Sequence, residues 1–268
     1  MTDSRSHSRS QASLFIAHGS PDLILSDIPA RKFLQETGQR LPVPRGIVVV
    51  TAHWVTPDLQ ATGPSALETI HDFYGYPAEL YDIKYAASGA SWLNEQIIRV
   101  LGEAGYPVRI GPRSGLDHGA WIPLMLMYPN ADIPVIQLSL KHSALPEQHF
   151  QIGQVLDGLR QDGILILGSG GLVHNLRLLK PEGSPTDDWA LSFDNWLFER
   201  LVSHTPQELF SVKSRAEYAH RAHPTDEHLM PLFVSMGAGW TDGDTQRIHH
   251  SFSYGNLSMT SYSFANTD

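Results

Sequence analysis

The chain has 268 residues, with 28 acidic against 19 basic side chains, a formal net charge of −9 at pH 7 and no cysteine. The absence of cysteine excludes disulfide bonds, a thiolate nucleophile and cysteine-ligated zinc, so any bound metal must have nitrogen and oxygen ligands. The acidic balance argues against a nucleic-acid surface, and no apolar run approaches the roughly 18 residues that a membrane-spanning helix requires.

The first segment, residues 1–12, is rich in serine and arginine and lacks the apolar stretch of a secretory signal. We interpret it as a disordered tail and expect a cytoplasmic protein. Nothing in the rest of the chain has the composition of a linker, so residues 13–268 are predicted to form one domain.

Apolar runs alternate with segments of helical spacing along this domain. Four runs typical of buried parallel strands cover residues 13–17, 47–52, 134–140 and 164–167. Apolar residues at helical spacing cover residues 90–104, 122–127, 150–160 and 189–202. This alternation predicts an α/β fold with a mostly parallel central sheet and helices on both faces. Residues 251–264 alternate polar and apolar side chains, which predicts antiparallel edge strands.

Three of the predicted strands lead into turns that carry a histidine. His18 follows the first, His53 the second, and His174 the glycine-rich turn after the fourth. Ligands of open α/β sheets bind beyond the carboxyl ends of the strands, so these side chains predict a metal site at that edge. The competing interpretation is that each histidine only hydrogen-bonds its own turn. The glycine-rich turn matches neither the Walker A pattern nor the dinucleotide fingerprint, which disfavours a nucleotide site.

Two further histidines lie near predicted helix starts. Asp117 would cap a helix whatever the function. His118, the next residue, is a candidate acid, base or substrate contact. His228 is predicted one turn into a helix that begins near Pro224, where it can point at a site by the helix N-terminus. Glu227 is the competing ligand at that position.

Seven short motifs follow one another along the chain. They are AHGSP at 17–21, VTAHW at 50–54, TIHDF at 69–73, LDHG at 116–119, IQLS at 136–139, GGLVHNL at 170–176 and PTDEHLMPL at 224–232. In this order they resemble the 4,5-DOPA-extradiol-dioxygenase-like family, a histidine-rich branch of the class III ring-cleaving dioxygenases. The resemblance extends over nearly the whole chain.

The resemblance implies a single α/β catalytic domain with one divalent metal, Fe²⁺ or Zn²⁺, at the sheet edge. Carried over to this sequence, the metal ligands are His18, His53 and His228, and His174 faces the metal as a fourth ligand or as the catalytic base. His118 is implied to be a second catalytic histidine near substrate and dioxygen. Wider class III enzymes usually have a glutamate in place of His228, so the choice between iron and zinc stays open.

The implied activity is extradiol cleavage, in which dioxygen opens the ring of a 4,5-DOPA-like catechol to a semialdehyde. The expected partners are therefore a small-molecule catechol and O₂, with no nucleic acid or membrane, and a homo-oligomer is compatible with the sequence. Aromatic residues that either wall the substrate ring or pack in the core are Trp54, Phe73, Tyr74 and Trp121.

Two alternatives use the same residues differently. Zinc held by three histidines and a water would make a hydrolase, with His174 or Glu227 as the base. The chain would otherwise be a metal-bearing binding protein of the same fold that lacks catalysis.

Overall fold

The four apolar runs form neighbouring strands at the centre of one sheet. The computed structural model describes residues 10–264. Its strands are β1 (Ser13–Ala17), β2 (Gly46–Thr56), β3 (Gln60–Ala61), β4 (Glu68–Thr69), β5 (Arg109–Ile110), β6 (Gly115–Leu116), β7 (Val135–Lys141), β8 (Ile164–Gly170), β9 (Gln246–His249), β10 (Phe252–Ser253), β11 (Leu257–Ser258) and β12 (Ser261–Ser263). Within residues 10–264, eight of these strands form the main sheet in the order β5-β3-β7-β2-β8-β1-β12-β9.

The central strands β7, β2, β8 and β1 are all parallel, which confirms the predicted mostly parallel sheet. Val48 of β2 pairs with Ile136 on one side and Ile166 on the other, and Leu14 of β1 pairs with Leu167. The flanking strands are antiparallel where β12 meets β1 and β9, and where β3 meets β7.

Helices cover both faces of the sheet, as predicted. They are α1 (Pro29–Arg40), α2 (Ala78–Asp82), α3 (Ser91–Glu103), α4 (His118–Met127), α5 (Pro146–Gln161), α6 (Asp188–Val202), α7 (Pro206–Phe210), α8 (Val212–Arg215), α9 (Ala219–Ala222) and α10 (Met230–Ala238). Successive side chains of a strand point to opposite faces. Val48 therefore belongs to the core on the side of α3, α5, α6 and α10, and Val49 belongs to the core on the side of α1 and α4. Among the described residues, no helix has both the length and the apolar character needed to cross a bilayer.

The start of the last large helix differs from the prediction. The helix expected near Pro224 begins only at Met230, and His228 therefore lies in the turn before it rather than one turn inside it. The backbone carbonyl of His228 accepts a hydrogen bond from Gly171 N at 2.9 Å. In a helix this carbonyl would accept an intrahelical hydrogen bond from the residue four positions later. Here it is occupied instead by the residue that follows β8.

Two other expectations about chain segments were wrong in part. Of the C-terminal strands expected at an edge, β12 lies inside the sheet between β1 and β9, while β10 and β11 form a separate pair. Gln11, assigned to the tail, is buried, and its backbone N–H donates to the Arg160 carbonyl at 3.0 Å while Arg160 Nε donates to the Gln11 carbonyl at 2.8 Å. Composition gave no sign of this distant partner. Residues 1–9 of the predicted tail lie outside the described residues.

Helices α5 and α10 approach each other closely through glycine. A Cβ atom on Gly153 would overlap the backbone carbonyl of Val234, and one on Gly237 would overlap the carbonyl of Phe150. A Cβ on Gly158, in the same helix α5, would meet no atom within 4 Å. The α5–α10 contact thus depends on the missing side chain at Gly153.

We predict that Gly153→Ala lowers the free energy of unfolding by about 1–3 kcal/mol, because overpacking forces two backbones apart. Gly158→Ala is the matched control, and it should leave stability unchanged or raise it by roughly 0.5–1 kcal/mol, since alanine favours helix more than glycine does. Urea unfolding followed by circular dichroism measures both. Equal stability of the two variants would contradict the close contact.

Candidate metal centre

Five of the histidines line one cavity beyond the carboxyl ends of the central strands. The cavity has a volume of about 370 Å³, and these five are His18, His53, His118, His174 and His228. The structure thus brings together every histidine that the sequence analysis singled out as a site residue. These five histidines are far apart in the sequence. The parallel strands, and the turns that follow them, bring their side chains together.

A distortion in β2 positions His53. The strand does not end near residue 52 but continues to Thr56, and its pairing with β7 shifts register between Val50 and Val55. His53 lies within this irregular segment. Irregularities of this kind re-aim side chains and are common beside functional sites.

The ring nitrogens of these histidines converge. His18 Nε2 lies 3.1 Å from His53 Nε2, and one ring nitrogen from each of His18, His53 and His118 lies within 4.8 Å of the others. The His228 ring centroid is 4.9 Å from that of His53 and 5.5 Å from that of His18. His174 stacks on His228, with ring centroids 3.4 Å apart and an interplanar angle of 8°. The ring nitrogens of His18, His53 and His118 are therefore close enough to share a cation, and the His228 and His174 rings lie beside them.

Oxygen acceptors fix the orientation of three of the rings. His118 Nδ1 donates to Asp72 Oδ1 at 2.9 Å, and His228 Nδ1 donates to Glu227 Oε1 at 3.0 Å. His18 Nδ1 lies 2.9 Å from Ser169 Oγ, whose own proton goes to the carbonyl of Gly119. A carboxylate only accepts, and this hydroxyl donates its proton elsewhere, so all three rings carry hydrogen on Nδ1. In a neutral ring of this tautomer the lone pair lies on Nε2.

These lone pairs fit a divalent metal. Nε2 of His228 is buried and has no hydrogen-bond partner among the described residues, a costly state for a polar atom. Neutral imidazole nitrogen is a common metal ligand, and the ligand's other nitrogen usually donates to a carboxylate or carbonyl, as at His228. The residues present therefore match the donor set of a histidine-bound metal.

Burial keeps four of these histidines neutral, namely His18, His53, His174 and His228. Desolvation, reinforced by the neighbouring imidazoles, lowers the pKa of His18 and of His228 well below the usual value. Desolvation also lowers the pKa of His53 to about 4 and that of His174 to about 4. Unprotonated rings at neutral pH can bind a metal without first losing a proton.

Asp72 is a site residue that the sequence analysis missed. It lines the cavity, accepts hydrogen bonds from both the backbone N–H and Nδ1 of His118, and lies 3.8 Å from His53 Nδ1. Burial acts to raise the pKa of Asp72, but the hydrogen bonds from His118 outweigh it and lower the pKa to about 2. Its only sequence signal is its place in the TIHDF motif.

Asp117 anchors the loops that carry two of the histidines. It caps α4 by accepting from Ala120 N, as predicted, and also accepts from Thr51 Oγ1 at 2.8 Å. Arg113 donates to Asp117 at 2.6 Å and to the backbone carbonyl of His53 at 3.3 Å. One buried carboxylate thus connects the segment of His53 with the helix that begins at His118.

The remaining candidates separate into lining and supporting residues. Phe73 and Tyr74 line the cavity, whereas Trp54 and Trp121 are buried and lie outside its lining. Glu227 lies behind His228 and borders a neighbouring cavity, where it acts as a hydrogen-bond acceptor to that ring.

If His228 binds metal through Nε2, Glu227→Ala should weaken metal affinity by about 10–100-fold, because the ring loses the acceptor that orients it. Glu227→Gln keeps an oxygen acceptor and should lose less. Competition for Zn²⁺ with a chromophoric chelator measures both affinities. Wild-type affinity in Glu227→Ala would show that the carboxylate does not orient the ring.

Comparisons with known proteins agree with this geometry. Over residues 14–265 the chain matches the family described as the catalytic LigB subunit of aromatic ring-opening dioxygenase. It is 38% identical over 257 residues to a 4,5-DOPA dioxygenase extradiol of Beta vulgaris, covering 94% of this chain and 96% of the relative. It is 39% identical over 256 residues to a protein of the same name from Escherichia coli (strain K12), covering 92% of each.

A solved structure supports the fold as well. An uncharacterized protein from Escherichia coli K12 superposes with a TM-score of 0.77 at 33% identity, covering 94% of this chain and 99% of the other. The family resemblance and the α/β architecture expected from the motifs are thereby confirmed.

Proposed function

Because the chain belongs to the family of the catalytic LigB subunit of aromatic ring-opening dioxygenases, it is an extradiol ring-cleavage dioxygenase, and we propose that it opens a 4,5-DOPA-like catechol to a semialdehyde. The observation that carries the proposal is the cluster of five histidines that line one cavity together with aromatic side chains. The relatives named as extradiol dioxygenases favour this reaction over the hydrolase and the non-catalytic protein considered above.

We propose His18, His53 and His228 as the metal ligands. The convergence of His18 Nε2 and His53 Nε2 at 3.1 Å and the unpartnered Nε2 of His228 support this set. His118 is the competing third ligand, because its ring nitrogen lies in the same group. Its hydrogen bond to Asp72 equally suits a proton-carrying role, which we prefer.

These three residues would hold the metal and leave it accessible to a diol and dioxygen. Bound Fe²⁺ would lower the pKa of a catechol hydroxyl and mediate electron transfer to O₂. Zn²⁺ suits the same nitrogen donors but cannot change its redox state, so we propose Fe²⁺ as the active metal. One metal per chain is expected.

The chain's own residues would move the second proton of the diol. We propose His174 as the acceptor, because its ring lies against His228 and is not held by a hydrogen bond within residues 10–264. A catecholate beside it would favour the imidazolium form and oppose the lowering of its pKa. His118 assists, since the Asp72 carboxylate can stabilise a proton on its ring.

The remaining expectations are proposals of the same kind. A catechol and O₂ are the proposed partners, supported by the family. A cytoplasmic location and a homo-oligomer stay predictions from the sequence.

Anaerobic loading of the metal-free protein with Fe²⁺ should give oxygen uptake on addition of a catechol, with one O₂ consumed per ring and a yellow semialdehyde formed. The Zn²⁺-loaded protein is the control and should show neither. An oxygen electrode and absorbance spectroscopy measure both. Failure of the iron-loaded protein on all catechols tested would refute the proposed reaction.

Single alanine variants should separate ligands from proton carriers. We expect His228→Ala to lose bound metal, whereas His174→Ala and His118→Ala keep most of it and lose about 10²–10⁴-fold in turnover, the usual range for a general acid or base. Metal analysis after dialysis, together with steady-state rates, decides the assignment. Metal loss in His118→Ala with retention in His228→Ala would make His118 the third ligand.

A further inference from the structure

A further histidine, His223, is fully buried and lies outside the lining of the metal-centre cavity. Its Nε2 is 2.7 Å from the backbone carbonyl of Leu172. A carbonyl only accepts, so Nε2 carries the hydrogen, and the lone pair of the neutral ring lies on Nδ1. Burial keeps the ring neutral, because desolvation lowers the pKa of His223 to about 4.

The other nitrogen of this ring is unpaired. Nδ1 of His223 is buried and has no hydrogen-bond partner within residues 10–264. A buried acceptor without a partner lowers stability, so packing alone does not explain a histidine at this position. Departures of this kind from a local rule are expected at functional sites. The contact that the ring does make, from Nε2 to Leu172, therefore indicates its role.

The turn after β8, residues 171–175, carries His174 and is tied to the segment before α10. The backbone N–H of His174 donates to the carbonyl of Ala222 at 2.9 Å. The residue after Ala222 is His223, which donates to Leu172, two positions before His174. Leu172 is fully buried, so its carbonyl depends on a protein donor rather than on water. Two adjacent residues of one segment thus hold the backbone of this turn.

The orientation of the His174 ring depends on this backbone. Nδ1 of His18, of His118 and of His228 each contacts an oxygen, but the ring nitrogens of His174 form no hydrogen bond within residues 10–264. The ring of His174 only stacks on His228, with centroids 3.4 Å apart. A shift of the turn would therefore move the His174 ring and leave the rings of His18 and His118 in place.

We propose that His223 is a positioning residue for His174, which it orients by holding the Leu172 carbonyl and with it the turn at 171–175. The proposal rests on the proposed role of His174 as acceptor of the second proton of the diol. A proton acceptor must lie within hydrogen-bond reach of the proton that it takes. A displaced turn would therefore slow the reaction while the metal ligands keep their positions.

Two substitutions at His223 test the donor. His223→Leu removes it and leaves an apolar side chain, whereas His223→Gln places an amide N–H near the position of Nε2. In the iron-loaded full-length protein we expect His223→Leu to lower kcat by about 10–100-fold, as is usual when an orienting partner is lost. KM and metal affinity should stay at the wild-type values, and His223→Gln should restore most of kcat. Unchanged kcat in His223→Leu, or a loss of metal affinity that accounts for the fall, would overturn the proposal.

His149→Leu is the matched control for the loss of a buried histidine. His149 is 2% exposed, burial lowers its pKa to about 4, and its Nε2 has no partner among the described residues. It lies in α5 and contacts the Leu145 carbonyl rather than the turn that carries His174. We expect this variant to lose stability but to keep kcat per bound iron. An equal fall of kcat in His149→Leu and His223→Leu would contradict a specific effect on His174.

Nitrogen NMR of the histidine rings separates the proposal from the reaction on which it rests. Spectra of the full-length protein are recorded before and after addition of Zn²⁺. His223→Leu should shift the ring signals of His174 and leave those of His118 unchanged, and unshifted signals of His174 would overturn the proposal. Shifted signals in a protein that turns over none of the catechols would support the positioning role and refute the proposed reaction.

The wild-type spectrum decides the question if His223→Leu does not fold. The ring of His223 should show the tautomer with hydrogen on Nε2 and an unprotonated Nδ1, because the Leu172 carbonyl can only accept. Hydrogen on Nδ1 instead would mean that His223 does not hold this carbonyl, and the proposal would be wrong.

Discussion

Neutral imidazoles buried side by side, three of them with Nδ1 hydrogen-bonded to a fixed oxygen, are the constraint on which the rest of this site depends. Burial disfavours the imidazolium form, and the oxygens of Ser169, Asp72 and Glu227 decide which nitrogen keeps its lone pair. These acceptors come from a strand, a loop and a turn that are distant in sequence. A metal centre of this kind therefore needs the whole domain to be folded before any single histidine has its final orientation.

The central sheet meets this need because its parallel strands end at one edge, and close backbone contacts hold the turns beyond them. A Cβ on Gly170 would overlap the His228 carbonyl, and a Cβ on Gly168 would overlap the carbonyl of Pro231 in α10. A Cβ on Gly119 would come within 3.1 Å of both the His18 and His53 rings. Glycine at 168 and 170 thus allows backbone approaches that any side chain would prevent, whereas a Cβ at 119 would require the two rings to shift slightly.

The cavity divides into two chemical halves. The inner half consists of neutral nitrogen donors supported by carboxylates, which suits a cation, a diol and the transfer of protons. The outer half consists of aromatic and aliphatic side chains at the solvent boundary. Its hydroxyls of Ser20 and Tyr76 form a hydrogen bond with each other at 2.9 Å. The polar donors of the candidate site thus lie in the inner half, while the outer half presents apolar surface.

The sequence by itself determined the central strands, the helices on both sheet faces, the family and the set of candidate histidines, because apolar periodicity and short motifs are local properties. It did not determine the register shift in β2, the start of α10 at Met230 or the partner of Gln11, since each depends on a contact with a distant segment. Asp72 was missed for the same reason: its role follows from the 2.9 Å contact with His118, 46 residues further along the chain. Only the tertiary structure decided which nitrogen of His18, His118 and His228 is hydrogen-bonded to an oxygen, because those oxygens belong to neighbours that folding brings together.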